Sequence, residues 1–378
     1  MQYLLGGQEL KTEKGWPDYN LDGYPVDLDS LFRITVERNA SDLHLICGAP
    51  PHIRVNGDLI CLEMPRITPD TLKNLLYSIL DRYQIESLER NLELDFAYSI
   101  SGFSRFRGNI LYQRGTLGAA FRVVPYDIPS IDSLGLPKGV KNLCSLSQGL
   151  VLVTGPTGSG KSTTLAALLD YISNNRRLNI LTLEDPIEFL HKHGKSIIAQ
   201  REVGSDTHSF STALRHALRH DPDVILIGEM RDLDSISIAL TAAETGHLVL
   251  STLHTQNAPL TINRIVDVFN NDRRSYIRQQ LSNSLQAIIS QQLIRRMDGK
   301  GRVVSVEFML NTPAVRNMIR EGKEHQLYSV LQTGHALGMQ TMDQALLKLY
   351  QSGRISMESA LAYCIDRKEM ERMLSLSR

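Results

Sequence analysis

The rhythm of apolar and polar positions changes twice along this chain of 378 residues. The opening stretch is polar and broken by Gly6, Gly7, Gly15, Pro17, Gly23 and Pro25, so residues 1–26 read as a flexible tail. From position 27 the pattern becomes regular. Leu28, Leu31, Phe32, Ile34 and Val36 fall at the spacing of one amphipathic helix. Short strands are predicted at 41–46, 53–55 and 59–62, with Asn56-Gly57 as a hairpin turn between the last two. Thr68-Pro69-Asp70 starts a helix that reaches about Leu80. Three stretches, 94–100, 104–113 and 116–124, then alternate as antiparallel strands separated by Gly102 and Gly115. Residues 27–124 therefore predict a small α+β domain.

Pro125, Pro129, Gly135 and Pro137 interrupt both rhythms, and we expect a linker over 125–138. Beyond it, over 139–378, the chain alternates between strand and helix. Leu150–Thr154 is an apolar, β-branched run with no polar alternation, as in a strand buried on both faces. The runs 180–183, 224–227 and 248–250 share that character, with helical patterns at 161–173, 210–219 and 234–244 between them. Buried parallel strands joined by crossover helices predict a doubly wound α/β domain. The part from about Arg274 onward is expected to be mostly helical.

Composition narrows the classes. Lys plus Arg and Asp plus Glu both number 41, so the net charge is zero, which argues against a surface built to clamp nucleic acid. Cys47, Cys61, Cys144 and Cys364 are scattered and form no C-x-x-C, so neither a zinc ribbon nor a redox pair is signalled, and a reduced, cytoplasmic setting is expected. No apolar run approaches the ~18 residues of a membrane span, and the N-terminus lacks the basic-then-apolar pattern of a secretory signal. Direct membrane insertion is not expected.

The chemistry concentrates in the second region. Gly155-Pro156-Thr157-Gly158-Ser159-Gly160-Lys161-Ser162 matches G-x-x-x-x-G-K-[ST], follows a predicted strand and opens a predicted helix that begins Lys161-Ser162-Thr163. Its glycines allow backbone N–H groups to turn toward phosphate oxygens, and the helix N-terminus adds a fixed positive end. Lys161 supplies a cation to the outer phosphates, and Ser162 offers a hydroxyl to Mg²⁺. Two acidic stretches sit where strands end. Glu229 follows the strand 224–227, the place of a Walker B acid beside Mg²⁺. Glu184, Asp185 and Glu188 crowd the end of 180–183, where one of them would polarise water.

Further groups carry more than one reading. His254 follows the strand 248–250 and His247 precedes it, and each is either a structural histidine or a partner of the γ-phosphate. Arg105, Arg107, Arg114 and Arg122 recur along the last strands of the first domain. They form a solvated basic face, or they reach nucleotide held by a neighbouring subunit or across the domain cleft, or they bind RNA or DNA, a reading that the zero net charge and the single tryptophan weaken. His216 and His220 lie four apart but lack the Glu of H-E-x-x-H, so they read as a solvated helix face.

The segments GPTGSGKSTT, LEDPIEFLH, DPDVILIGEMRD and GHLVLSTLHT, in that order, resemble the secretion-type ATPase superfamily. Within it the sequence is most similar to the type IV pilus retraction ATPases, over about residues 27–350. ASDLHL (40–45) resembles the start of that family's PAS-like N-terminal domain, and AVRNMIRE (314–321) resembles its retraction motif. The resemblance implies a PAS-like domain, a RecA-like P-loop ATPase domain and a helical C-terminal region. It implies ATP and Mg²⁺ as cofactors, with nucleotide between the subunits of a homohexameric ring. It makes Glu188 the catalytic carboxylate, Glu229 the Walker B acid and His247 and His254 a His box, and it gives the four arginines phosphate-reaching roles from the adjacent subunit. It implies work at the cytoplasmic face of the inner membrane on a PilC-like platform protein, with an extension ATPase as a further partner. Extension or secretion motors of the same superfamily, and a nucleotide-binding companion with little turnover, are the alternatives. No tetracysteine zinc element occurs, and AVRNMIRE separates retraction from extension.

Overall fold

Asp27 opens the first helix by accepting the Ser30 N–H at 2.9 Å, the bond an N-cap side chain makes to the otherwise unpaired first turn. We describe a computed structural model covering residues 27–55, 57–125, 127–230 and 232–376. The expected tail at 1–26, and Asn56 of the expected turn, lie outside the described residues.

The first region runs α1 (Leu28–Glu37), β1 (Asp42–Ile46), β2 (His52–Val55), β3 (Asp58–Cys61), α2 (Pro69–Tyr77), α3 (Arg82–Asn91), β4 (Glu93–Ile100), β5 (Ser104–Gln113) and β6 (Thr116–Val124). Its six strands form one antiparallel sheet in the order β3-β2-β1-β6-β5-β4. The core holds Leu28 and Phe32 of α1, Leu72 of α2, Leu88 of α3 and Phe106 and Phe121 of the sheet. Phe32 stacks on Phe106 with ring centroids 4.1 Å apart. The α+β expectation holds, with one helix added. Asp81 and Gln84 make a reciprocal capping box that starts α3, a D-x-x-Q signal that the weak apolar periodicity of this helix concealed.

The chain divides into two compact units, Met1–Val124 and Pro125–Arg378. In the second unit, a 3₁₀ turn over Ile131–Leu134 places Ile131 in the same core as Val140, Leu165 and Phe308. Part of the stretch expected as linker is thus docked on the second unit. The order continues as α4 (Gly139–Asn142), β7 (Gly149–Thr154), α5 (Lys161–Asn175), β8 (Asn179–Glu184), β9 (Ile197–Glu202), α6 (Phe210–Ala217), β10 (Val224–Ile227), α7 (Leu233–Glu244), β11 (Leu248–Leu253), α8 (Ala258–Asp267), α9 (Asn271–Ser284), β12 (Leu285–Arg295), β13 (Arg302–Leu310), α10 (Pro313–Glu321), α11 (Leu327–Thr333), α12 (Met342–Gln351), α13 (Met357–Tyr363) and α14 (Arg367–Leu376).

The sheet order is β13-β12-β7-β11-β10-β8-β9, parallel throughout except for β13. Strand β7 shows why its sequence lacks alternation. Leu150 and Leu152 enter one core while Val151 and Val153 enter another on the opposite face, so both faces are covered. The doubly wound reading is correct. The region after Arg274 is mostly helical, as expected, but it also holds β12 and β13, a long antiparallel hairpin inside the sheet that the sequence reading did not foresee. Ser290, Gln291 and Gln292 disguised β12. Two of them are buried and bonded across elements, Ser290 Oγ accepting from Thr154 Oγ1 at 2.9 Å and Gln291 Nε2 donating to Thr164 Oγ1 at 2.8 Å. The edge strand β9 also went unpredicted. No helix among the described residues is long and apolar enough to cross a membrane.

Candidate active site

The phosphate loop leaves the fully buried β7 and enters α5 through three glycines with φ of 139° (Gly155), 79° (Gly158) and 90° (Gly160). Gly155 is required twice over, because a Cβ there would lie 2.3 Å from the Gln291 carbonyl oxygen. The Lys161 ammonium donates to the carbonyl oxygens of Gly155 (2.9 Å) and Pro156 (3.1 Å), so the loop holds its own cation at the head of α5. Burial pushes the Lys161 pKa below that of an ordinary lysine, and the charges of Glu229 and Glu188 pull it back. Ammonium and acids therefore share one electrostatic environment.

The acids stand at the carboxyl ends of neighbouring parallel strands. The segment after β10 is stitched to both sides: Gly228 N–H donates to Leu183 O at 2.7 Å, and Thr252 Oγ1 donates to Gly228 O at 2.6 Å. That fixes Glu229, whose Oε1 lies 3.3 Å from His254 Nε2 at the end of β11. The three acids after β8 divide into roles. Glu184 is half-buried, and the loss of solvent pushes its pKa up, while Thr182 Oγ1 (2.7 Å) and Gln200 Nε2 (3.1 Å) donate to it and oppose the shift. Gln200 also donates to Phe189 O and accepts the His191 N–H, so Glu184 and Gln200 brace the loop 185–191. Glu188 is left exposed, on the wall of the cavity.

That cavity measures about 550 Å³ and lies within the second unit. Thr157, Gly158, Gly160, Lys161, Ser162 and Thr163 of the loop line it, together with Glu188, Glu229 and His254. Gly155, Pro156 and Ser159 shape the loop from behind, with Ser159 almost fully buried. His247 is not brought in. Its N–H and Nδ1 meet Ala242 O, and its carbonyl accepts from Gly149 N–H at the amino end of β7. A six-residue strand, about 20 Å, separates it from the phosphate loop of its own chain, because it precedes β11 whereas the loop follows β7. Of the two histidines, therefore, only His254 lines this cavity.

Arg105 and Arg107 lie on β5, Arg114 in the β5–β6 turn and Arg122 on β6, all in the first unit. Arg107 stands opposite Arg122, and Arg122 Nε meets Asp42 Oδ1 at 2.8 Å. Sequence reasoning missed His191, Phe210, Leu293 and Arg302, which also line the cavity. Burial holds the His191 imidazole near a pKa of about 4, so it is a neutral wall. Leu293 and Arg302 belong to the hairpin read as helical, and no motif marks them.

The donor set suits a magnesium nucleotide. Ser162 offers a hydroxyl and Glu229 a carboxylate, and phosphate oxygens and water would complete the shell of an ion that is rarely held by protein groups alone. Among the described residues no cluster of three or more His, Cys, Asp or Glu is placed to hold a metal by itself.

Comparison with known proteins agrees with this geometry. Residues 130–362 match the model of the type II/IV secretion system protein family. The chain is 50% identical over 335 residues to the type IV pilus retraction ATPase PilT of Pseudomonas aeruginosa, covering 89% of this chain and 97% of that one. It is 47% identical to a twitching motility protein of Neisseria gonorrhoeae, covering 88% of each. The crystal structure of the pilus retraction motor PilT with bound ADP superposes with a TM-score of 0.86 at 48% identity, covering 92% of this chain and 99% of that one. With a phosphate loop and two strand-end acids lining one cavity, and with this similarity over nearly its whole length, the chain belongs to the type II/IV secretion system protein family and, within it, to the PilT retraction ATPases.

Proposed function

We propose that the chain is an ATP-driven motor that retracts a type IV pilus, taking up ATP and Mg²⁺ in the cavity behind the phosphate loop. The observation that carries this reading is the convergence of Lys161, Glu188 and Glu229 on one cavity, in a chain half identical to PilT. Lys161 leaves its loop carbonyls for the outer phosphates. Ser162 and Glu229 hold Mg²⁺, which when bound neutralises phosphate charge. Glu188 orients the attacking water and accepts its proton, and His254 couples the state of Glu229 to β11.

The reading extends to the assembly. Six copies form a ring, and Arg105, Arg107, Arg114 or Arg122 of one copy supplies positive charge to the phosphates held by another. The ring works at the cytoplasmic face of the inner membrane against a PilC-like platform protein, in opposition to an extension ATPase. The resemblance of AVRNMIRE to the retraction motif supports retraction over extension, and this segment forms the exposed-faced helix α10 over a buried Val315 and Ile319. Purified protein tests the chemical core. Magnesium-dependent ATP hydrolysis that disappears in Lys161→Ala supports the reading, and unchanged turnover in that variant overturns it.

A further inference from the structure

Glu188 is exposed on the cavity wall, so the main chain that carries it decides where its carboxylate points. That main chain leaves the end of β8. The edge strand β9 runs parallel to β8, with Thr182 opposite Gln200 and Glu184 opposite Glu202. Residues two apart on a strand share a face, so these side chains stand together on one face of the sheet.

Alternate residues of β9 grip alternate residues of the loop. Glu202 Oε2 accepts the Ile187 N–H at 3.0 Å. Gln200 Nε2 donates to Phe189 O at 2.9 Å, and Gln200 Oε1 accepts the His191 N–H at 2.8 Å. From β8, Glu184 Oε2 accepts the Glu188 N–H at 3.4 Å, while its Oε1 takes a Gln200 amide proton at 3.1 Å. The loop is held as a further strand would be, with side chains standing in for a neighbouring backbone. An amide meets every demand at position 200. Its two N–H groups serve two acceptors, the Glu184 carboxylate and the Phe189 carbonyl, and its oxygen serves a donor. The two ends of the loop differ in their other supports. Before Glu188, Ile187 is also anchored by its own burial. Beyond Glu188, Gln200 is joined by a long bond from Leu190 N–H to Pro125 O at 3.5 Å.

We infer that Gln200 is a positioning residue for hydrolysis, fixing the loop beyond Glu188 and so the place from which Glu188 reaches the attacking water. The inference rests on the role proposed above for Glu188 and adds to it the group that aims it. Glu184, Glu188, Phe189 and His191 line the cavity and Gln200 does not, so its influence there passes through the loop. A shift of about 1 Å in a catalytic group can cost about a hundredfold in rate. Binding of the phosphates is left in place, since Lys161 and Ser162 stand on a different element.

The test is a double-mutant cycle on the full chain, reading single-turnover hydrolysis and the Mg·ATP dissociation constant for each variant. Gln200→Ala lowers the single-turnover rate about tenfold in the otherwise native chain. In the Glu188→Gln chain it lowers the rate by less than about twofold, because a carboxylate already removed cannot be misaimed. The Mg·ATP dissociation constant stays within about twofold in every variant. Should a thermal melt show that Gln200→Ala disturbs the fold, Gln200→Glu takes its place in the same cycle. It keeps the side-chain shape and the acceptor for the His191 N–H, and when ionised it has no proton for Glu184 or Phe189. An unchanged rate, an equal loss in both backgrounds, or an affinity that falls in step with the rate overturns the inference. If Glu188→Gln alone leaves the rate intact, the role proposed for Glu188 fails and this inference with it. If Glu188→Gln slows the rate and Gln200→Ala does not, the positioning role alone fails.

Discussion

Lys161 and Glu188 share a cavity but do different work, and single substitutions separate them. Lys161 is a buried cation held by two carbonyls and drawn toward two acids. Lys161→Ala removes the charge that meets the outer phosphates, and steady-state hydrolysis should fall at least a hundredfold. Glu188 stands exposed on the wall while Glu184 and Gln200 hold the loop that carries it. Glu188→Gln keeps that brace and removes only the proton acceptor. Bound-nucleotide measurements should show ATP affinity nearly intact, and single-turnover rates should fall about a hundredfold or more. A collapse of affinity with normal chemistry per bound ATP would instead make Glu188 a binding group. The loop and Glu229 were legible in the sequence because phosphate chemistry imposes a fixed local spacing on glycines, lysine and a strand-end acid, whereas Glu188 and His254 were singled out only by the family resemblance. The fate of His247 was not legible, since closeness in sequence to a strand says nothing about which end of the strand meets the loop.

Elements outside the cavity carry buried acids of their own. Glu307 of β13 accepts the Ala258 N–H at 2.7 Å, at the start of α8, and burial pushes its pKa up to about 7 from an ordinary 4.5. The folded chain therefore keeps this proton to higher pH than the unfolded chain does. The stability it contributes is complete below about pH 4.5 and is lost as pH rises through about 7. Melting curves of Glu307→Gln measured across that window should decline less than those of the wild type. Asp343 of α12 performs a similar task for the C-terminal segment. It accepts the N–H groups of Ile365 (2.7 Å) and Asp366 (3.0 Å), just before α14, and the Tyr328 hydroxyl at 3.2 Å. Asp343→Ala leaves these donors without their acceptor and should cost about 3 kcal/mol, read as a lower denaturation midpoint with earlier proteolysis after α12. Periodicity revealed the short amphipathic helices and the fully apolar strands. It failed for β12, where Ser290 and the Gln291 amide nitrogen, inside a doubly covered strand, find partners more than a hundred residues away. It also failed for α3, whose signal was its cap rather than its face.

The whole molecule joins an antiparallel α+β unit to a parallel α/β unit, and each was foreseeable from its own rhythm. The division of labour proposed for the ring asks the first unit for arginines and the second for everything else. If one of Arg105, Arg107, Arg114 and Arg122 completes the site of another copy, its Ala variant should lose hydrolysis alone and regain part of it when mixed with Lys161→Ala protein, since each would supply what the other lacks. Arg122 is the weakest candidate, because Asp42 already engages its Nε. Retraction itself is a property of the cell, and its test is a deletion of the gene with complementation by wild-type or Lys161→Ala chain. The account predicts surplus surface pili and no twitching in the deletion strain, reversed by the wild type and not by the variant; a deletion strain without surface pili, or one that still twitches normally, would contradict it.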